Sequence, residues 1–212
     1  MTIKTKYMGL ALSLAAASVL TLTGCGGGGS DTPPAAEAAF NGKFIDDAVG
    51  GVSFSCAGAS GLTAANGSFG TCNAGSTVTF SIGGLVLGSS SATGDGIFFV
   101  TDIVGTTRGD IDNEEVLKIA SLLQSVDTDG DPSNGITVPP EAAQELADLN
   151  VNVSDLSGDE ASAITRDLAS RLGTTYVSPA DAEANLAESL GKIDNGTIAP
   201  PSQTPTGSSG GN

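Results

Sequence analysis

All seven Phe residues of this 212-residue chain lie between Phe40 and Phe99, and within that stretch apolar residues alternate with small polar ones. Val52, Phe54 and Cys56 fall on one face, and Val78, Phe80 and Ile82 on another, with Ser and Thr between them. Successive side chains of extended backbone point to opposite sides, so a period of two predicts half-buried strands. Asn66-Gly67, between Leu62-Thr63 and Ser68-Phe69, is a dipeptide that accepts the positive φ angles of a tight hairpin. Gly50-Gly51 and Gly83-Gly84 punctuate the neighbouring strands.

Beyond Phe99 the apolar positions are Ala, Leu, Ile and Val, and their spacing changes to three and four. Val116, Ile119, Ala120, Leu123 and Val126 make one helical stripe. Ser157 stands three residues before Glu160, and Ser178-Pro179 precedes Asp181, so two further helices carry capping starts. Their apolar faces are Ala161, Ile164, Leu168 and Leu172, then Leu186, Leu190 and Ile193, and a short helix is expected over residues 141–149. These stripes read as core, the alternative being a groove for a partner. The expected class is α+β: a small antiparallel β-sandwich over residues 40–100, then a separate small helical unit over residues 101–195. Residues 196–212 are rich in Gly, Pro, Ser and Thr, a composition too poor in apolar surface to offset ordering, and are expected to be a disordered tail.

The N-terminus reads as an address. Lys4 and Lys6 precede an apolar run over residues 8–22, and the segment closes on Leu22-Thr23-Gly24-Cys25. Charged, apolar, then small is the order of a secretory signal, here residues 1–24. The competing reading, a transmembrane helix, needs about 20 apolar residues and flanking stop-transfer charges. Leu22-Thr23-Gly24-Cys25 resembles the lipobox of bacterial lipoproteins. That resemblance implies a diacylglyceryl thioether on Cys25, cleavage before it and an acylated amine. Two or three acyl chains exceed what stable anchoring needs, since each buried methylene contributes about 0.8 kcal/mol. In such lipoproteins an Asp after the Cys favours inner-membrane retention; Gly26 stands there instead, which points to the outer membrane. Residues 25–39 are then the lipidated Cys and a flexible Gly, Ser, Pro and Ala linker. The Gly run at residues 26–29 lacks the preceding strand and the Gly-Lys-Ser/Thr of a phosphate loop.

Charge and composition remove whole classes of function. The chain has 24 Asp and Glu against 8 Lys and Arg, a formal net charge of −16, and two of those lysines lie in the signal segment. Phosphate backbones repel such a chain, so nucleic acid is excluded as a partner. There is no His and no Trp. Ser-His-Asp and Cys-His nucleophile systems are therefore excluded, as are zinc sites with imidazole ligands. Hydrolysis by paired carboxylates alone stays open.

A second resemblance spans residues 42–100. Gly42-Lys43-Phe44-Ile45-Asp46, Gly51-Val52-Ser53-Phe54, Thr63-Ala64-Ala65-Asn66-Gly67-Ser68-Phe69 and the run over residues 75–82 resemble the carboxypeptidase-regulatory or prealbumin-like β-sandwich. Domains of that family are generally non-catalytic modules of surface and secreted proteins, and this is what the resemblance implies.

Two sites follow from residue type and spacing. With Cys25 assigned to lipid, Cys56 and Cys72 form an even pair in an exported chain and are expected to be a disulfide worth about 3 kcal/mol, the alternative being two buried thiols. Phe69 and Cys72 fall on opposite faces of one strand unless Gly70 marks a bulge. The other site is Asp127-Thr128-Asp129-Gly130-Asp131-Pro132-Ser133-Asn134-Gly135, which resembles the calcium loops of dockerin and thrombospondin-type repeats. It begins where a helix ends, and the partial negative charge of a helix C-terminus disfavours further anions. A Ca²⁺ ion held by Asp127, Asp129, Asp131 and Asn134 would relieve that repulsion, with further oxygens from Asp110, Asp112 or Glu115. The alternative is a solvated acidic turn built on Gly130 and Pro132. Asp46-Asp47 reads as turn chemistry rather than a catalytic dyad. The functional expectation is a lipid-anchored, non-enzymatic envelope module that binds an unidentified protein or glycan, with a carboxylate-dependent envelope hydrolase, or an accessory subunit of one, as the alternative.

Overall fold

The computed structural model describes residues 39–203. In chain order its strands and helices are β1 (Phe40–Ile45), β2 (Val49–Gly50), β3 (Ser53–Cys56), β4 (Ala59–Leu62), β5 (Ser68–Cys72), β6 (Thr77–Ile82), β7 (Leu85–Ser91), β8 (Ile97–Phe99), α1 (Val100–Val104), α2 (Glu114–Ser125), β9 (Ile136–Thr137), α3 (Pro140–Glu145), β10 (Val151–Asn152), α4 (Gly158–Leu172) and α5 (Pro179–Asp194). The signal segment, Cys25 and the linker up to residue 38 lie outside the described residues, as do residues 204–212.

The α+β class is the one expected, with a sheet-rich first part and a helical second part. One sheet has the order β5-β1-β8, a second β10-β7-β6-β3-β4, and β2 and β9 form a two-stranded ribbon. The two larger sheets face each other across the phenylalanines. Phe44 of β1 stacks on Phe80 of β6 with ring centroids 4.4 Å apart, and Phe69 of β5 meets Phe80 edge-on at 5.3 Å. Such ring pairs add roughly 0.5–1.5 kcal/mol beyond their buried area. Val78, Phe80 and Ile82 all point inward, as their alternation predicts, and the polar residues between them are partly exposed.

The strand partners differ from a purely antiparallel sandwich. β1 pairs with β8 in parallel, and β7 pairs with β10 in parallel. The Asn66-Gly67 turn forms, yet its flanks do not make a hairpin: β4 pairs with β3, and β5 crosses to pair with β1. Phe69 dictates this, because its ring packs on Phe54, Phe80 and Phe98, which places β5 in the sheet opposite β3 and β6. Leu62, at the end of β4, is left 63 % exposed on a sheet edge. Gly67 is required in the turn. Its φ is +75°, its carbonyl accepts from the Phe44 amide at 2.9 Å, and a Cβ would lie 2.5 Å from the Phe44 carbonyl oxygen. The bulge that parity demanded is present in β5, where the register steps from Phe40↔Cys72 to Gly42↔Phe69 and both Phe69 and Cys72 face inward.

The helices start where their caps predict. Ser157 and Glu160 make a reciprocal capping box on α4, and the Ser178 hydroxyl accepts from the Asp181 amide at the start of α5. Asn113 caps α2, accepting from the Glu115 and Val116 amides. The short helix α3 is real but ends at Glu145 rather than Leu149.

Expectation and structure part company over separation of the two halves. A single hydrophobic core runs from Phe44 and Phe80 through Ile119 and Leu123 to Leu168 and Leu186. Besides its predicted stripe, α2 buries Ser121, Leu122, Gln124 and Ser125, so it is covered nearly all round. A helix with so little solvated surface lies largely inside, and α2 packs against α1, α4 and α5 at once. β9 and β10, from the second half, complete sheets begun by the first. The described part of the tail is also ordered, contrary to its composition. Lys43 Nζ donates to the Ala199 carbonyl at 2.9 Å, the Asn41 side chain donates to the Ser202 carbonyl at 3.2 Å, and Gln203 exchanges bonds with the Asn41 backbone. Polar contacts to β1, together with Ile198 packed partly buried against the core, hold this strap.

Candidate functional site

The acidic loop leaves α2 at Val126 and returns to the ribbon at β9 through a short 3-10 turn over Pro132–Asn134. Asp127 is 1 % exposed. Its Oδ1 accepts from the Thr137 amide at 2.8 Å, which ties the end of the helix to the start of β9, while its Oδ2 is buried without any donor among the described residues. Burial first, and then the Asp129 carboxylate, push the Asp127 acid above its ordinary range against the pull of the Thr137 amide. Asp129, exposed, is held below the ordinary range by the Asp131 amide at 3.0 Å, by the Asp127 carboxyl and by Asn134 Nδ2 at 3.2 Å.

Of the four residues predicted as ligands, the fold therefore gathers Asp127, Asp129 and Asn134. Asp131 does other work, because its Oδ1 accepts from the Ser133 amide at 3.2 Å and the Ser133 hydroxyl at 2.6 Å and so caps the 3-10 turn. Among the described residues, no three acidic, Cys or His side chains come together as a metal-holding group. Asp110 is engaged instead with the Thr106 hydroxyl and the Thr107 amide.

Asp46 and Asp47 diverge. Asp46, fully buried at the end of β1, receives Gln124 Nε2 on both oxygens, at 3.1 and 3.3 Å. Burial drives its acid well above the ordinary range; the Gln124 bond opposes this and the Asp47 charge adds to it. Gln124 Oε1 accepts from Asn185 Nδ2 at 2.8 Å, so a buried polar chain links β1, α2 and α5. Asp47 turns the other way to Lys192 Nζ at 2.5 Å, and the same ammonium donates to the Ser133 carbonyl at 2.8 Å. Lys192 is raised by that Asp47 bond. The predicted turn thus also fastens α5 to the acidic loop. The sequence signal for this chain is Gln124 inside Leu122-Leu123-Gln124, a polar residue within an apolar stripe; nothing local marks Asn185 as its partner or Lys192 as the partner of Asp47.

Cys56 and Cys72 form the expected disulfide, joining β3 of one large sheet to β5 of the other. An open groove of about 540 Å³ runs between β1, β5 and the strap, lined by Lys43, Ser68, Phe69, Pro200 and Ser202 among others. A smaller crevice of about 230 Å³ is flanked by Glu145 and Asp167, and both carboxylates hold Arg171, at 2.9 and 2.8 Å. No protein-family model, no curated protein and no solved structure matches the chain, so its chemistry has to be read from these contacts.

Proposed function

We propose that this chain is a lipid-anchored, non-enzymatic module of the bacterial cell envelope, held at the outer membrane through Cys25 and acting in adhesion, envelope structure or the binding of a protein or glycan. The observation that carries the proposal is the division of the cysteines. Cys56 and Cys72 take each other in a disulfide, a bond that persists in oxidising compartments, and this leaves Cys25 alone, at the end of Leu22-Thr23-Gly24-Cys25. Among the described residues no helix is long and apolar enough to cross a membrane.

The non-enzymatic part is supported by how the carboxylates are spent. Asp46 is sealed against Gln124, Asp47 holds Lys192, and the two acids beside a crevice share Arg171. A glycosidase-like pair needs two carboxyl groups free to face a substrate, one as acid and one as base or nucleophile. These pairs are committed to fixed cations and amides instead.

Fatty-acid labelling of the expressed full chain tests the anchor. Wild type is expected to incorporate an alkyne-tagged fatty acid, and Cys25→Ser to lose the label completely. Undiminished labelling of Cys25→Ser, or no labelling of wild type, overturns the lipoprotein reading. Label is a cleaner readout than fractionation, because an uncleaved signal segment could itself retain the variant in membranes.

A further inference from the structure

We propose that the seat of the strap on β1 is a binding site for an extended, Pro-containing peptide segment of a partner protein, one that carries a carboxylate, and that the strap over residues 198–203 fills this site in cis. The proposal rests on the reading of the chain as a binding module and takes the partner to be protein rather than glycan. The strap shows how such a segment is held. Lys43 Nζ and the Asn41 side chain donate to the main-chain carbonyls of Ala199 and Ser202, and the Asn41 backbone exchanges two bonds with the Gln203 side-chain amide. The first two contacts read only main chain, which any extended segment presents. Pro200-Pro201 keeps the backbone extended with few conformations to lose on docking. Gly96, at φ +74°, lets the strap lie close, since a Cβ there would stand 2.8 Å from Pro201 Cγ and 2.9 Å from Gln203 Nε2.

Three observations make the strap an exchangeable occupant. It underfills its seat, because the groove of about 540 Å³ stays open between the strap and Asn66, Ser68 and Phe69. It also leaves a charge unmatched. Among the described residues, Arg108, Lys118, Arg171 and Lys192 pair with carboxylates and Arg166 lies over the Tyr176 ring, whereas the Lys43 ammonium meets only the Ala199 carbonyl. No acid lines the groove, a local exception in a chain of net charge −16, so a carboxylate at the position of Ala199 would match Lys43. Finally, the strap opens easily. Ala199, Pro200, Ser202 and Gln203 are exposed, and Ile198, partly buried against the core, is its apolar anchor. A segment with an acid before its prolines keeps the strap's main-chain contacts and adds the ion pair that the strap lacks.

The test is a fluorescence-anisotropy titration of the full chain in detergent with two labelled hexapeptides, Ile-Ala-Pro-Pro-Ser-Gln, which copies the strap, and Ile-Asp-Pro-Pro-Ser-Gln, which adds the carboxylate. Ile198→Ser removes the strap's apolar anchor and should bind the acidic peptide more tightly than wild type does, since a seated strap lowers the apparent affinity by the fraction of sites it fills. The same variant should prefer the acidic peptide over the strap copy by about tenfold, the size of one charged hydrogen bond. Adding Lys43→Gln, which keeps a donor for the carbonyl, should erase that preference. Binding of neither peptide by Ile198→Ser would return the groove to the glycan reading and overturns the proposal. If that variant does not fold, wild type under excess acidic peptide carries the test, and unmoved Lys43, Ser68 and Gly96 amide signals by NMR overturn it equally. Equal affinity for the two peptides, or a preference that survives Lys43→Gln, overturns the part assigned to the carboxylate. Lipidation at Cys25 does not enter these titrations, so the anchor and the peptide site fail separately.

Discussion

At the scale of single residues, one costly placement is Asp46, a carboxyl with no solvent exposure, satisfied through one glutamine. Its acid is raised in the folded state by burial, so folding favours the protonated form. The stabilising proton is in place below the ordinary carboxyl value of 3.8 and is lost as pH rises through the raised folded value. Asp129, Asp95 and Glu160 are lowered and contribute with the opposite sign, their stability being lost only as pH falls below ordinary carboxyl values. Asp46→Asn keeps an acceptor for Gln124 and removes the titration. We expect wild-type stability, from urea melts at pH 4 to 8, to fall relative to Asp46→Asn as pH rises, with a difference in slope of no more than about 1.4 kcal/mol per pH unit for one proton. Parallel curves for the two proteins would show that Asp46 ionises freely in place.

Among elements, the disulfide does what neither large sheet does alone, because it ties β3 to β5 across the sandwich. Its loop is closed at a sequence separation of 16, for which the chain-entropy argument gives about 3 kcal/mol. Cys56→Ser with Cys72→Ser should therefore lower unfolding stability by about that amount while leaving the phenylalanine stack intact, read as a lower urea midpoint with an unchanged near-ultraviolet spectrum. A midpoint equal to wild type would mean that ring packing already fixes the approach of the two sheets. Capping acts at the same scale but more weakly, through the exposed Ser157 and Glu160 box.

Over the whole molecule, the sheet-rich and helical parts stabilise each other. β2 has its partner in β9, β7 has an outer partner in β10, and the phenylalanine core continues into α2 and α5. A fragment of residues 39–105 would lose the partners of β2 and β7 and expose the side of α1 that α2 covers, so it is expected to show no cooperative melt and poor amide dispersion by NMR. A sharp transition from that fragment would show that the first half is an independent domain after all.

What the chain determined by itself is local: the periods of two and of three to four, the caps at Ser157 and Ser178, the Asn66-Gly67 turn, and the bulge that parity required at Gly70. Each depends on residues within a few positions of one another, where backbone sterics and side-chain direction decide the outcome. Partner choice was left to the tertiary structure. β5 leaves β4 for β1 because Phe69 has to reach Phe80 and Phe98, and α2 becomes a central helix because α1 and two later helices all need its surface. The same holds for the candidate site. The carboxylates at Asp127, Asp129 and Asp131 are visible in sequence, but which of them meet depends on Thr137 in the ribbon and on Ser133 in the 3-10 turn. The Ser133 contact is local, but the Thr137 contact needs β9 to find β2, more than eighty residues earlier in the chain, and no local pattern encodes that pairing.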